Sequence, residues 1–289
     1  MPDDRLVLRT RFDEDALLYD RARPTYPAAV FDAIFDRLPD AARAEPRVLE
    51  IGCGTGQATR PLAQRGGEVL AVYLGADMAE VARRNLAPFA NVEVINADIE
   101  QWNPRTTNFD LIVSATAFHW LEPATRFARV ARLLRPGGVL ALIQTIHIEG
   151  RSESFFADAQ RCYERWDPNT PPGLRRPRLQ DLPDTSEYGI EHADEFGHAT
   201  VQWFAVDFRY TAEQYLDLLR TFFNHRALPA ADLKGLLACL RRRIESEPDH
   251  VITKSVAFEL SCALTRSGST SSAHPHLTRA SKQRPARGR

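Results

Sequence analysis

Cysteine is scarce: the 289 residues hold four, Cys53, Cys162, Cys239 and Cys262, no two of them close together. With no CxxC pair, the pattern fits reduced, mostly buried thiols in a cytosolic protein. The eight histidines form no HExxH motif and no Cys/His cluster with zinc spacing, so no metal site is expected. Long apolar runs are missing too. Stretches such as Val139–Ile143 are strand-length, far below the ~20 residues that span a bilayer. MPDDRLVLRTRFDED, at the start, has no apolar h-region, so no secretory signal is read there, no membrane partner is expected, and a cytoplasmic location is.

Charge of one sign is missing only locally. The formal net charge is -1, but Arg266, Arg279, Lys282, Arg284, Arg287 and Arg289 lie in a final stretch without acids. Setting those aside leaves about -7 on the rest. An acidic body does not suit a phosphate backbone, so nucleic acid is not an expected partner. The tail from Ser267 is low in apolar residues and reads as disordered.

What is present is an alternation of strands and helices. Pro27–Leu38 places Val30, Phe31, Ile34 and Phe35 on one helical side. Strands are expected at Arg47–Ile51, Glu68–Tyr73, Val92–Ile95, Asp110–Ser114 and Val139–Ile146, all rich in Val, Ile and Leu without polar alternation. That pattern belongs to parallel strands covered on both faces. Between them, Ala79–Leu86 reads as a helix entered through an Asp77/Glu80 capping box. Pro123–Leu134 reads as a helix stopped at Arg135–Gly138. Repeated strand–helix–strand units imply a parallel sheet with right-handed crossovers. Further on, a helix and a long Pro-rich loop to Asp184 suggest a lid. Then come a strand at Thr200–Tyr210, helices at Thr211–Asn224 and Ala230–Ile244, and a last strand at Val251–Leu264. The expected division is an N-terminal lid and helix (1–44), a Rossmann-like core (45–148), a cap with the last strands and helices (149–265), and a basic tail (266–289).

The chemistry concentrates in VLEIGCGTGQAT, Val48–Thr59. A buried strand ends in Glu50 and runs into Gly52, Gly54 and Gly56, with a helix after. Glycines allow positive φ and let a ligand approach the backbone. The crevice at the carboxyl ends of such strands is where α/β sheets bind ligands. A dinucleotide fingerprint needs a sixth-position glycine, and Gln57 stands there. The Glu50 carboxylate would repel a pyrophosphate but suits an ammonium group.

With those residues in view, the chain resembles the class I S-adenosylmethionine-dependent methyltransferases. It looks most like small-molecule members of the type 11 methyltransferase domain, related to trans-aconitate and ubiquinone-pathway enzymes. The matching blocks are YDRARPTYP (Tyr19–Pro27), VLEIGCGTGQAT, NADIEQW (Asn96–Trp102), FDLIVSATAFHWL (Phe109–Leu121) and LLRPGGVLAL (Leu133–Leu142). The resemblance implies a seven-stranded, mostly parallel sheet in the order 3-2-1-4-5-7-6. It implies S-adenosyl-L-methionine as cofactor and a small-molecule acceptor bearing a carboxylate or hydroxyl. By position, Glu50, Gly52, Gly54 and Gly56 would line the methionine end. Asp98 would bind the adenine amino group, with Ile99 against the ring, and Ser114 and Ala115 would border the sulfonium. Tyr19, Arg23 and Tyr26 would form a lid, with Arg23 reaching the cofactor carboxylate. His119 is the candidate catalytic base.

One position departs from the pattern. The second strand of such proteins ends in an acid that holds both ribose hydroxyls, and here it ends in Tyr73. A phenol offers one hydrogen bond where a carboxylate offers two charge-assisted ones, a loss on the order of 1.5–3 kcal/mol. Two alternatives therefore stand beside the enzyme: a methyltransferase-fold protein that binds a metabolite or partner without catalysis, and a nucleotide-cofactor oxidoreductase, which Gln57 and Glu50 disfavour.

Overall fold

A computed structural model describes residues 15–104 and 107–266. The expectation of a disordered tail falls on residues 267–289, outside the described residues.

Helices α1 (Ala16–Ala22), α2 (Ala28–Asp36) and α3 (Asp40–Arg43) lead into β1 (Arg47–Ile51). The chain continues as α4 (Thr59–Gln64), β2 (Glu68–Tyr73), α5 (Ala76–Leu86), β3 (Val92–Asn96) and β4 (Phe109–Ala115). Then follow α6 (Arg126–Leu133), β5 (Leu134–His147), α7 (Glu153–Trp166) and β6 (Thr200–Thr211). Helices α8 (Ala212–Arg220), α9 (Phe223–Arg226) and α10 (Ala230–Glu245) precede β7 (Val251–Leu264). The seven strands form one sheet in the order β3-β2-β1-β4-β5-β7-β6, as the resemblance implies. Strands β1 to β5 pair in parallel, and β7 runs antiparallel to β5 and β6.

Two clusters explain the absence of polar alternation. Val48, Leu111, Val139 and Ala141 pack on the side of α2 and α4. Their neighbours Leu49, Ile112, Leu140 and Leu142 pack on the side of α6. Successive strand residues point to opposite faces, and both faces are buried, so both positions must be apolar. A third cluster joins α7, α8 and α10 through Phe155, Phe156, Leu216, Leu219, Leu236 and Leu240. Among the described residues no helix is long and apolar enough to cross a membrane.

Three expectations are corrected. Helix α5 begins at Ala76 with Gly75 as its N-cap and no side-chain cap, so Asp77 sits inside the first turn and closes no capping box. Its carboxylate still complements the helix dipole there. The single helix expected at Thr211–Asn224 breaks after Arg220 and resumes at Phe223. Its start is secured by a capping box between Thr211 and Gln214.

The third correction concerns the thiols. Cys162 of α7 and Cys239 of α10 form a disulfide, with Cα atoms 5.9 Å apart; only Cys53 and Cys262 are free, both buried. The cause is close helix packing. Gly235 lies one turn before Cys239, and a Cβ there would come within 2.5 Å of the Trp166 ring, one turn after Cys162. The absence of a side chain at Gly235 lets α7 and α10 approach until the sulfurs meet. A crosslink spanning 77 residues restricts the unfolded chain, so Cys162→Ser should cost about 2–4 kcal/mol. Denaturant titration of parent and variant, with thiol counting under denaturing conditions, checks this; equal stability and four free thiols in the parent would refute it.

Candidate functional site

The carboxyl ends of β1, β2 and β4 open on a cavity of about 290 Å³. Gly52, Tyr73, Ile99, Ala115, Ala117 and His119 line it from the strand ends, and Tyr19, Arg23 and Phe222 line the other side. The crevice forms because the chain leaves β1 and β4 in opposite directions, toward α4 on one face and α6 on the other.

The loop after β1 is shaped by contact with the loop after β4. Gly52 has φ +80°, and a Cβ on it would lie 2.3 Å from the Ala117 Cβ. No side chain fits there. The Gly52 amide donates to the Val72 carbonyl at 2.9 Å, tying the loop to β2. Gly54 is different: its open side faces Tyr19 of α1, 3.5 Å from where a Cβ would be.

The expected site residues divide accordingly. Tyr19, Arg23, Gly52, Tyr73, Ile99, Ala115 and His119 come together on the cavity, while Glu50, Gly54, Gly56, Asp98 and Ser114 are not on its lining. Ser114 is fully buried and donates to the Ile51 carbonyl at 3.0 Å, clamping β4 to β1. Asp98 Oδ1 accepts from the Glu100 amide at 3.1 Å and so shapes the turn after β3. Glu50 is buried, its Oε2 lacks a hydrogen-bond partner, and burial pushes its carboxyl up to about 7 despite the nearby Thr59 hydroxyl.

The segment expected to form a lid is held by cation–π stacking. The Arg23 guanidinium lies 4.3 Å from the Phe222 ring centre and 4.8 Å from that of Tyr19. It donates to the Thr221 carbonyl at 3.1 Å. This one residue therefore pins α1 to the break between α8 and α9. Phe222 packs against the cap cluster and also lines the cavity, where it supports Arg23.

His119 stacks on Trp120 with ring centres 4.7 Å apart, and its Nδ1 sits 3.4 Å from the Tyr188 hydroxyl. Burial, with help from the Arg126 charge, holds its pKa down to about 4. The imidazole is therefore neutral at pH 7, and a base so weak takes little of a proton there.

Thr116 was not anticipated. It follows β4 with φ +53°, a left-handed conformation unusual for a β-branched residue. Its hydroxyl meets the Tyr26 hydroxyl at 3.3 Å. It lines both this cavity and a second one of about 260 Å³ beneath the lid. No spacing rule reveals such a residue, because its strain exists only in the folded backbone.

Comparison with known proteins gives the following likenesses. Residues 48–138 match the family described as methyltransferase domain. That segment is a methyltransferase domain by its family match. An uncharacterized methyltransferase of Mycobacterium tuberculosis strain H37Rv is 39% identical over 129 residues, covering 43% of this chain and 48% of that protein. A malonyl-[acyl-carrier protein] O-methyltransferase of Halalkalibacterium halodurans is 32% identical over 146 residues, covering 47% of this chain and 54% of that protein. The chain thus spans about half the length of the curated relatives it matches. Among solved structures, a candidate type II methyltransferase from Anaeromyxobacter dehalogenans superposes with a TM-score of 0.57 at 22% identity, covering 84% of this chain and 97% of that one. That likeness concerns the fold.

The Gly52–Ala117 contact predicts a rescue. Gly52→Ala should weaken cofactor binding by about tenfold or more, because the new methyl must displace the loop after β4. Adding Ala117→Gly removes the opposing Cβ and should restore part of the affinity, the left-handed φ keeping about 1 kcal/mol of strain. Titration of S-adenosylmethionine into the three proteins checks it. Equal binding by Gly52→Ala and the parent would place the cofactor elsewhere.

Proposed function

We propose that the chain is an S-adenosylmethionine-dependent methyltransferase acting on a small-molecule acceptor. The observation that carries this reading is the cavity at the ends of β1, β2 and β4, walled by Gly52 and Ile99 and closed by the Tyr19–Arg23 lid. The cofactor is S-adenosyl-L-methionine, whose sulfonium methyl is the electrophile.

The residues present fit that group at three points. The side-chain-free Gly52 backbone admits close approach. Ile99, Val72, Leu74 and Leu121 give an apolar wall suited to an adenine ring. The unpartnered Glu50 Oε2 supplies a buried negative centre below Gly52 for an ammonium group. Asp98 holds the turn that presents Ile99, and Ser114 holds the strand that presents Ala115. Gly54 and Gly56 complete the loop, and Gly54 leaves room for the Tyr19 ring.

Transfer requires an acceptor lone pair aligned with the methyl carbon, so that the new bond forms as the carbon–sulfur bond breaks. Positioning and exclusion of water contribute most to such a step. Phe222, Phe223 and Trp120 give the cavity a dry aromatic side. His119 faces it as a neutral imidazole that can accept a hydrogen bond from an acceptor and orient it. S-adenosylmethionine is a cytosolic metabolite, so the cytoplasm is the proposed site of the reaction.

A second reading, binding without turnover, rests on Tyr73. Its ring lines the cavity where a ribose-holding acid would stand, and its other side packs with Tyr19 on Ala16, Met78 and Val81. Tyr73→Glu should tighten S-adenosylmethionine binding by about ten- to a hundredfold. Calorimetry on parent and variant decides: tight binding by the parent with no gain in the variant makes Tyr73 a competent substitute, and no binding by either removes the enzyme reading.

Glu50 adds a pH signature. Its folded pKa of about 7 lies above the ordinary 4.5, and the ammonium needs the ionised form. Affinity should therefore rise as pH climbs from 6 to 8 and then level off. Glu50→Gln should abolish that rise and weaken binding. It should also stabilise the cofactor-free protein at pH 8, where the parent holds an uncompensated buried carboxylate. An affinity flat across this range in the parent would detach Glu50 from the cofactor.

A further inference from the structure

The second cavity lies beneath the lid and meets the first along Tyr19, Arg23, Thr116, Thr145 and Phe222. Most of its remaining wall is apolar, built from Ile146, Leu218, Val256, Phe258 and the rings of Tyr26 and Tyr210, with Gln57 and His147 as uncharged polar members. Into it comes Lys254 of β7.

This lysine is out of place by every packing rule. Side chains alternate along β7, and Ile252, Val256, Phe258, Leu260 and Cys262, on the same face as Lys254, are all buried apolar residues. A charge in such a stripe is costly unless paired. No carboxylate lines the cavity. Burial first, and then the positive charges of Arg23 and Arg176, pull the pKa of Lys254 down to about 8. Its Nζ lies 5.5 Å from the centre of the Phe222 ring. His147, on the same cavity, is kept neutral by burial and by Lys254 itself. The cavity is thus a greasy chamber with excess positive charge and no internal counterion, placed next to the site of methyl transfer.

We infer that the second cavity binds the methyl acceptor, and that Lys254, with Arg23 at the lid, holds an anionic group on it. The acceptor class is an apolar or aromatic body carrying a carboxylate. This rests on the methyltransferase reading above for the word acceptor, but the anion site stands on its own residues. The anion supplies the counterion the fold omits, and the apolar walls exclude the water that would weaken the pair. The shared wall, Thr116 and Phe222 included, would bring the body of the acceptor to the first cavity.

The test uses phenylacetate and its neutral analogue phenylacetamide on the full chain saturated with S-adenosylhomocysteine, so that the first cavity is occupied. Calorimetry should show phenylacetate binding better than phenylacetamide. Lys254→Met should weaken phenylacetate by about ten- to a hundredfold and leave phenylacetamide unchanged, and Lys254→Arg should keep most of the affinity. The melting temperature of Lys254→Met should be equal or higher, since an unpaired, partly buried charge has gone; S-adenosylhomocysteine affinity should be the same in all three. Equal binding of the two probes by the parent, or undiminished phenylacetate binding by Lys254→Met, overturns the inference. If the parent fails to bind S-adenosylhomocysteine, the cofactor reading fails. The two probes compared on the cofactor-free protein then still decide whether the anion site exists.

Discussion

Everything at the functional end of the sheet depends on how closely the loops after β1 and β4 approach each other. Ser114 donates to the Ile51 carbonyl and holds the two central strands level at their carboxyl ends. One residue beyond Ile51 the chain turns through Gly52, and two residues beyond Ala115 it presents Ala117, leaving no room for a Cβ between them. The crevice opens at this point because the following helices, α4 and α6, leave on opposite faces. A larger residue at Gly52 would part the loops and remove the floor of the cavity.

On that floor the chain builds two chambers with different electrical character. Behind the first, off its lining, lies the buried Glu50 carboxyl, proposed above as the partner of a positively charged ligand end. The second has Lys254 and Arg23 and suits a negative one. Arg23 belongs to both because its flat guanidinium can lie between the Tyr19 and Phe222 rings while one N–H holds the Thr221 carbonyl. A lysine could not do this, since it lacks the planar face. Thr116, strained at φ +53°, stands on the shared wall opposite the lid. Backbone strain kept at such a point fits a residue whose position matters more than its local comfort.

The cap is tied down by a separate set of contacts. Helices α7, α8 and α10 share an apolar cluster, and the Cys162–Cys239 bond sits inside it. Since α8 runs directly into Thr221 and Phe222, the rigidity of this cluster is passed to the lid. The two halves of the site are therefore held by different means: the sheet end by strand hydrogen bonds and a steric limit, the lid by aromatic stacking on a crosslinked cap.

Strand positions were legible in the sequence because doubly covered parallel strands need apolar residues on both faces, and the runs at Val48–Ile51, Leu111–Val113 and Val139–Ile143 have no other use. The glycine loop was legible because positive φ and close approach admit few residue types. Asp77 misled because an acid before a helix and an acid inside its first turn look alike on paper; only the path from Tyr73 through Gly75 decides which it is. The Cys162–Cys239 pairing was hidden because 77 residues separate the partners, and the spacing of Trp166 and Gly235 acquires meaning only when α7 and α10 are side by side. Lys254 has no marker in the sequence beyond its place in the last strand, Val251–Leu264. Its significance comes from the antiparallel entry of β7 between β5 and β6, which turns that one side chain toward the lid with no acid to meet it. Local patterning determined the elements and the cofactor loop, since both follow from the conformations single residues allow. Which distant side chains share a wall, and what charge that wall carries, was decided only when the strands took their places in the sheet.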